Sequence, residues 1–435
     1  MSEPKRGRVI ITDGRSVMSL TAAHSLFFKD IEVIGCDELD WTILRFSRYT
    51  KEYFVHPSPD KDREAFLQAM YEKILEYKPD DGRPYVLMPI HRMTGIIAEH
   101  RDIFAPHIQI ATPAHSAMSQ IYPKHRLAET AQKLGVRVPK TWCFPDLKAL
   151  DRFARRTSFP KLLKPVDATG GRGICKVHST EDLKQKAEAV FAEFKEMPLV
   201  QELVTGDDYC FSGLFDRGKL CTSMAYTNIY NFPAESGAGV FRETIDDAPF
   251  RDEAERLMKA LKWHGVAEID FMWNGSRRKK PYLIEVNTRF WGGLFQSVES
   301  GIDFPWLLYQ LTTEGRLTEK PEPVLGTQTK IPFLWLVSAL QDYKWEDPSL
   351  QEAVAAARQR EKDPTFWDRI QTKAQGIWGT VKQATNIGEL RKLMKSGEMA
   401  RNEPFYADDP MAILGVAFVL NSLIREGKLP PEVKF

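Results

Sequence analysis

The chain has 435 residues, enough for about two to four domains at roughly 100–200 residues each. With 43% hydrophobic and 27% charged residues it has the make-up of an ordinary folded protein, which excludes a mostly disordered chain. Sixty Lys and Arg stand against 59 Asp and Glu, and a net charge of +1 supplies no overall field to draw the protein to nucleic acid or an anionic membrane.

Taken from the N-terminus, MSEPKRGR runs straight into a strand-like segment, so no signal peptide is expected. Residues 8–12 (RVIIT), closed by Asp13-Gly14, lead into a helical pattern through Phe28 and a second strand at 31–36. A helical stretch at 62–77 and a third strand at 85–90 follow, and this alternation predicts βαβ units on a parallel sheet. Gly14 stands alone after the first strand without a GxGxxG fingerprint, which argues against dinucleotide binding. His91 and Arg92, just beyond the third strand, lie where open α/β sheets bind ligands and are candidate substrate contacts.

From Pro123 the pattern is helix (124–134), Gly135, strand, helix (146–156), strand (161–164) and a glycine-rich turn. Strands are expected again at 199–204, 211–215, 220–226, 266–273 and 282–287. Residues 345–400 are charged with helical periodicity broken by Pro364, and an apolar helix is expected around 411–423. Its longest apolar run, 411–420, is shorter than the ~18 residues that would span a bilayer, so a dimer or membrane-surface role is weighed against simple packing. The cysteines at 36, 143, 175, 210 and 221 are scattered and odd in number, with no CxxC pair. That pattern predicts neither a disulfide framework nor a zinc ribbon, and with it a reducing, cytoplasmic setting.

Residues 265–289 carry the most chemistry. Two strand-like runs flank Asn274-Gly275, a hairpin turn signal. Pairing them about the loop's midpoint sets Glu268 opposite Asn287, Ile269 opposite Val286, Asp270 opposite Glu285 and Phe271 opposite Ile284. Because side chains alternate faces, one face is then apolar and the other holds Glu268, Asp270, Glu285 and Asn287. Like charges placed opposite one another repel. A divalent cation would turn that repulsion into binding, and oxygen donors of this kind suit Mg²⁺ or Mn²⁺ held partly by phosphates. A solvated outer face is the alternative, but it would mix in basic residues, and here those are confined to the turn.

Residues 159–174, FPKLLKPVDATGGRGI, place Lys164 at a strand end before Gly170, Gly171, Arg172 and Gly173. Glycines let backbone N–H groups approach phosphate oxygens, and the lysine and arginine add charge. No Lys-Ser/Thr follows the last glycine, so this is not a P-loop. The nine histidines form no HExxH pattern, so zinc catalysis is not expected.

In this order and spacing, the features resemble the ATP-grasp superfamily of carboxylate–amine ligases and related carboxylases, over about residues 119–311. The closest resemblance is to carbamoyl-phosphate-synthase-like bacterial ATP-grasp proteins. Lys124, followed by Gly135 and VRVP, resembles the first nucleotide-binding lysine, FPKLLKP the strand with the second lysine, Lys164, and ATGGRGI the mobile loop. VQELVTGDD resembles the hinge, which implies Gln201, Glu202 and Val204 at adenine and Asp208 at the ribose. EIDFMW and LIEVNTRFWG resemble the metal-binding strands, implying Asp270, Glu285 and Asn287 as Mg²⁺ ligands and Arg289 as a phosphate or substrate clamp.

The resemblance implies an α/β plus α+β architecture: a Rossmann-like pre-ATP-grasp domain (1–118), a small lobe (119–198), a large lobe with the metal site (199–312) and a mainly helical extension (313–435). It further implies ATP and Mg²⁺ or Mn²⁺ as cofactors, small carboxylate and amine substrates, an acyl-phosphate intermediate assisted by Lys164, and no nucleic-acid partner. Arg242, in the glycine-rich segment SGAGVFRET, is a second candidate for the acyl-phosphate clamp, weighed equally against an exposed loop charge. Trp291, in FWGG, is a candidate contact for a bulky substrate. Bicarbonate activation is the rival chemistry, a non-catalytic ATP-binding protein the rival of another class, and a homodimer the base-rate expectation.

Overall fold

A computed structural model describes residues 6–166, 173–232, 238–276, 279–332, 335, 338, 397–403, 406–412 and 414. The β-branched run near the N-terminus becomes β1 (Gly7–Ile11), followed by α1 (Val17–Phe27), β2 (Ile31–Asp37) and α2 (Ile43–Phe46). Then come β3 (Glu52–Val55), α3 (Arg63–Glu76), β4 (Tyr85–Met88), α4 (Met93–Glu99), α5 (Arg101–Phe104) and β5 (Gln109–Ile110). The five strands are parallel, in the order β3-β2-β1-β4-β5. The order reverses between β1 and β4, so their carboxyl ends border a crevice suited to ligands. Ser16 Oγ accepts from Met18 N–H at 3.2 Å to start α1, and Asp62 Oδ1 accepts from Ala65 N–H at 2.9 Å to start α3.

After α6 (His115–Met118) and α7 (Lys124–Lys133) the chain forms β6 (Thr141–Trp142), α8 (Leu147–Ala154), β7 (Lys161–Lys164), β8 (Cys175–Val177), α9 (Thr180–Phe194) and β9 (Leu199–Glu202). These strands make an antiparallel sheet, β6-β9-β7-β8, with its own core around Leu150, Leu163, Leu183 and Val200. α7 buries Leu127 and Ala131 elsewhere, among Phe211, Phe250, Trp263 and Ile269.

The remaining elements are β10 (Asp207–Asp216), β11 (Lys219–Phe232), β12 (Ala238–Ile245), α10 (Ala248–Ala260), β13 (Gly265–Trp273), β14 (Tyr282–Asn287), α11 (Leu294–Glu299), α12 (Phe304–Glu314), β15 (Gln328–Lys330) and β16 (Arg401–Asn402). They form a large sheet ordered β14-β13-β10-β11-β12-β15-β16. One face packs on α10 through Phe211, Phe215 and Phe271. The other shares a core with the first domain, where Leu214, Tyr226 and Val266 meet Val9, Ile11 and Leu20.

The strands expected at 211–215 and 220–226 are the interiors of longer ones, β10 and β11. β12 was not among the expected strands: the segment after the glycine turn is a sheet strand with Arg242 inside it. Beyond residue 312, expected to be mainly helical, the described residues add β15 and β16, and 397–400 form a turn. Residues 341–396 and 415–435, with most of both expected helices, lie outside the described residues. All five cysteines are free thiols. Among the described residues no helix is long and apolar enough to cross a membrane.

Candidate active site

β13 and β14 pair as the alternation demands: Glu268 with Asn287, Ile269 with Val286 and Asp270 with Glu285. The expected Phe271–Ile284 pair does not form. A register shift after Asp270 pairs Phe271 with Leu283 and leaves Ile284 as the extra residue of a bulge. On the neighbouring strand Cys210 stands opposite Asp270 and Ser212 opposite Glu268. One ligand atom each of Cys210, Glu268 and Asp270 lie within 4.8 Å of one another.

Asn287 Nδ2 donates to Glu268 Oε1 at 3.2 Å and to Asp270 Oδ2 at 3.3 Å, and Tyr226 OH donates to Glu268 Oε2. Asp270 Oδ1 is buried beside the Cys210 thiol, with no nitrogen or oxygen donor to it among the described residues. Burial pushes the Glu268 carboxyl up to about 7 against the pull of Tyr226, Arg289, Arg242 and Asn287. Burial, then the charges of Glu268 and Glu285, raises Asp270 well above the usual carboxylate range. A buried oxygen without such a donor, in a crowded group of carboxylates and a carboxamide, suits a hard divalent cation. Asp270, its strand partner Glu285 and Asn287, which bonds to it, offer oxygen donors of the kind such an ion takes.

Basic groups surround this face. Lys124, in the first turn of α7, lies 3.3 Å from Glu285 Oε1. Lys164 ends β7 and is 8% exposed. Burial, reinforced by Lys124, lowers its ammonium to about 8, while Glu285, Asp208 and Asp270 hold it up. Arg289 donates to Phe290 O at 2.8 Å, and its guanidinium is lowered by burial and supported by Glu268, Glu285, Asp270 and Asp13.

Residues at the crevice of the parallel sheet interact electrostatically with Arg289. Asp13 follows β1 and His91 follows β4, both with positive φ, 59° and 52°, a costly backbone for non-glycine residues that concentrates at functional sites. His91 Nδ1 is 3.7 Å from Asp13 Oδ2. Burial, then Arg289, Arg92 and Arg15, drives the His91 imidazole down to about 3, so it is neutral at physiological pH. Arg92 forms ion pairs with Asp60 and Glu38.

On the small sheet, Gln201 Nε2 donates to Thr141 Oγ1 at 2.9 Å, and Glu202 accepts from Lys140 N–H at 3.2 Å. The chain leaves the sheet at 203–206, with Val204 half-buried, and Gly206 crosses β13 so closely that a Cβ would lie 2.6 Å from the Trp273 backbone. Asp208 then opens the large sheet opposite Met272, its carboxyl raised by desolvation and by Asp207 and lowered by Lys164. Gly173 has φ +72° and packs on Pro165 and Phe194. Gly170, Gly171 and Arg172 lie outside the described residues.

Two expectations are corrected. Trp291 is fully buried, edge-on to Phe304 at 5.0 Å between ring centres, so in this structure it is a core residue and not a substrate contact. Arg242 is no exposed loop charge: it is 3% exposed within β12, paired with Glu403. Sequence reasoning missed Tyr226, Asp13 and Glu403 at this face. Only Asp13 had a signal, the Asp-Gly that closes the first strand.

Residues 122–293 match the family model of the ATP-grasp domain. The chain carries an ATP-grasp domain. D-alanine–D-alanine ligase of Acetivibrio thermocellus is 25% identical over 183 residues, 37% of this chain and 47% of that protein. The carbamoyl phosphate synthase large chain of Vibrio cholerae is 20% identical over 221 residues, 47% of this chain and 20% of that one. The chain thus spans less than half the length of these curated relatives. N5-carboxyaminoimidazole synthetase from Staphylococcus aureus, solved with ADP, superposes with a TM-score of 0.59 at 13% identity, covering 81% of this chain and 88% of that one. At that identity the likeness is one of fold. The carboxylate face on β13 and β14 and both lysines fall inside the matched ATP-grasp segment.

Proposed function

We propose that the chain is an ATP- and Mg²⁺-dependent ligase that activates a carboxylate as an acyl phosphate and joins it to an amine. One observation carries the reading: Asp270, Glu285 and Asn287 share a sheet face across which Lys124, Lys164 and Arg289 interact with the same carboxylates. Phosphoryl transfer needs positioned groups and neutralised charge more than covalent help. Asp270, Glu285 and Asn287 would hold Mg²⁺, which supplies charge neutralisation at the phosphates.

Lys124 and Lys164 would bind phosphate oxygens, and Arg289 would stabilise charge at the transferred group. A substrate carboxylate oxygen would attack the γ-phosphorus as its bond to the ADP oxygen breaks. The amine nitrogen would then attack the acyl carbon, phosphate would leave, and the nitrogen would give up a proton. Residues 203–206 with Asp208 would border the nucleoside, and the neutral His91 beside Arg289 would face the acyl substrate from the first domain. The likeness to D-alanine–D-alanine ligase supports amide formation, and the likeness to carbamoyl phosphate synthase supports bicarbonate as a second reading.

The test is a coupled ADP-release screen over amino acids and small carboxylates with amine acceptors, using bicarbonate alone as the discriminating arm. Release that needs both an organic acid and an amine is expected, whereas release with bicarbonate alone favours the second reading. Glu285→Gln should abolish Mg²⁺-dependent ADP release while leaving the melting temperature near wild type. Unchanged turnover in this variant would sink the metal assignment.

A further inference from the structure

Arg242 is a buried charge in the interior of the large sheet, and its partner comes from far along the chain. Nη1 donates to Glu403 Oε2 and Nη2 to Gly239 O, with both members of the ion pair 3% exposed. Across the sheet, Arg242 stands opposite Asn228, while Tyr226, two residues before Asn228 and on the same face, stands opposite Cys210 and bonds Glu268. Asn287, Glu268 and Tyr226 are hydrogen-bonded in series at the carboxylate face, and the charge of Arg242, itself paired with Glu403, acts on both Tyr226 and Glu268.

Residues 397–403 and 406–409 are fastened at several points. Lys330 Nζ bonds Gly397 O, Arg401 pairs with Glu299, and Tyr406 stacks on His24 at 3.7 Å. Tyr49 OH donates to Asp408 Oδ1 at 2.6 Å, and Arg48 N–H to Asp409 Oδ1 at 3.1 Å. This segment lies outside the matched residues 122–293 and joins the first domain to the large sheet.

We infer that Glu403 is a positioning residue for the reaction: its carboxylate fixes the Arg242 guanidinium so that the remaining donors meet an anion, the transferred phosphate, at the carboxylate face. The inference rests on the proposed phosphoryl chemistry. A guanidinium offers five donors in a rigid fork, and a buried carboxylate on one side fixes where the others point. A tail residue would thereby complete a site built mostly by the ATP-grasp domain.

The test is a double-mutant cycle read by calorimetric binding of inorganic phosphate to the full chain saturated with Mg·ADP, which requires no turnover. Glu403→Gln and Arg242→Ala are each expected to weaken phosphate binding at least tenfold. Together they should weaken it no more than Arg242→Ala alone, and Glu403→Asp should restore most of the affinity. Mg·ADP affinity should stay within about twofold throughout. Asp409→Asn, which loosens the strap at the first domain without touching Arg242, should leave phosphate binding unchanged. Additive losses, a loss reproduced by Asp409→Asn, or no phosphate binding by the wild type would overturn the inference. If Glu403→Gln does not fold, Glu403→Asp decides alone: binding within about threefold of wild type supports the inference, and a larger loss overturns it. A chain that binds phosphate in this manner but releases ADP with no acid would refute the ligase reading and leave the positioning role standing.

Discussion

Lys164 shows how burial, more than neighbouring charge, sets the protonation of a group at this site. Its ammonium is lowered to about 8 from an ordinary value of 10.5, because desolvation outweighs the nearby carboxylates. A buried charge is forced on the folded chain below pH 8, and the penalty is relieved as pH rises from there toward 10.5. Phosphate oxygens would favour the charged form and raise this value again. Mg·ATP binding at pH 8.5 should therefore take up a fraction of a proton, seen as a binding enthalpy that varies with the ionisation enthalpy of the buffer. Lys164→Gln should remove that dependence; a buffer-independent enthalpy in the wild type would refute the assignment. At this scale the carboxylates were legible, because strand alternation and a turn signal suffice to place Glu268, Asp270, Glu285 and Asn287 on one face. Tyr226 was not, since a tyrosine in an apolar strand gives no sign that its hydroxyl will meet a carboxylate.

Whole elements became legible or hidden according to how local their stabilisation is. β13 and β14 pair through a short loop and could be placed from sequence, whereas β12 reads as a loop because Arg242 and Glu243 interrupt its apolar run. Its arginine is tolerated inside because Glu403, 161 residues away, neutralises it. The FWGG segment leading into α11 was read as a substrate feature, yet its residues pack: Trp291 fills the core, and a Cβ on Gly293 would come within 2.5 Å of the Tyr226 ring and hydroxyl. Gly293→Ala should therefore displace Tyr226 from Glu268 and destabilise the fold by about 1–3 kcal/mol. A urea denaturation midpoint equal to wild type would show that the ring yields without cost.

For the whole molecule, the tail is the element on which sequence and structure differ most. Truncation after residue 326 would remove β15, β16 and Glu403, leaving the edge of β12 open and Arg242 buried without its carboxylate. Removing one partner of a buried pair costs about 3–5 kcal/mol, so the truncated chain should melt well below the full chain or fail to express in soluble form. Cooperative unfolding at the wild-type temperature would instead make the tail dispensable to the fold. The sequence by itself determined the parallel first sheet, the carboxylate face and the order of lysines and glycines, because strand periodicity and turn chemistry act over a few residues. Only the tertiary structure decided that the tail extends the large sheet, that Arg242 is buried against Glu403, and that Asp13 and His91 interact electrostatically with Arg289. Those contacts join residues far apart in the chain, and the burial and charge that govern them exist only once the sheets have packed.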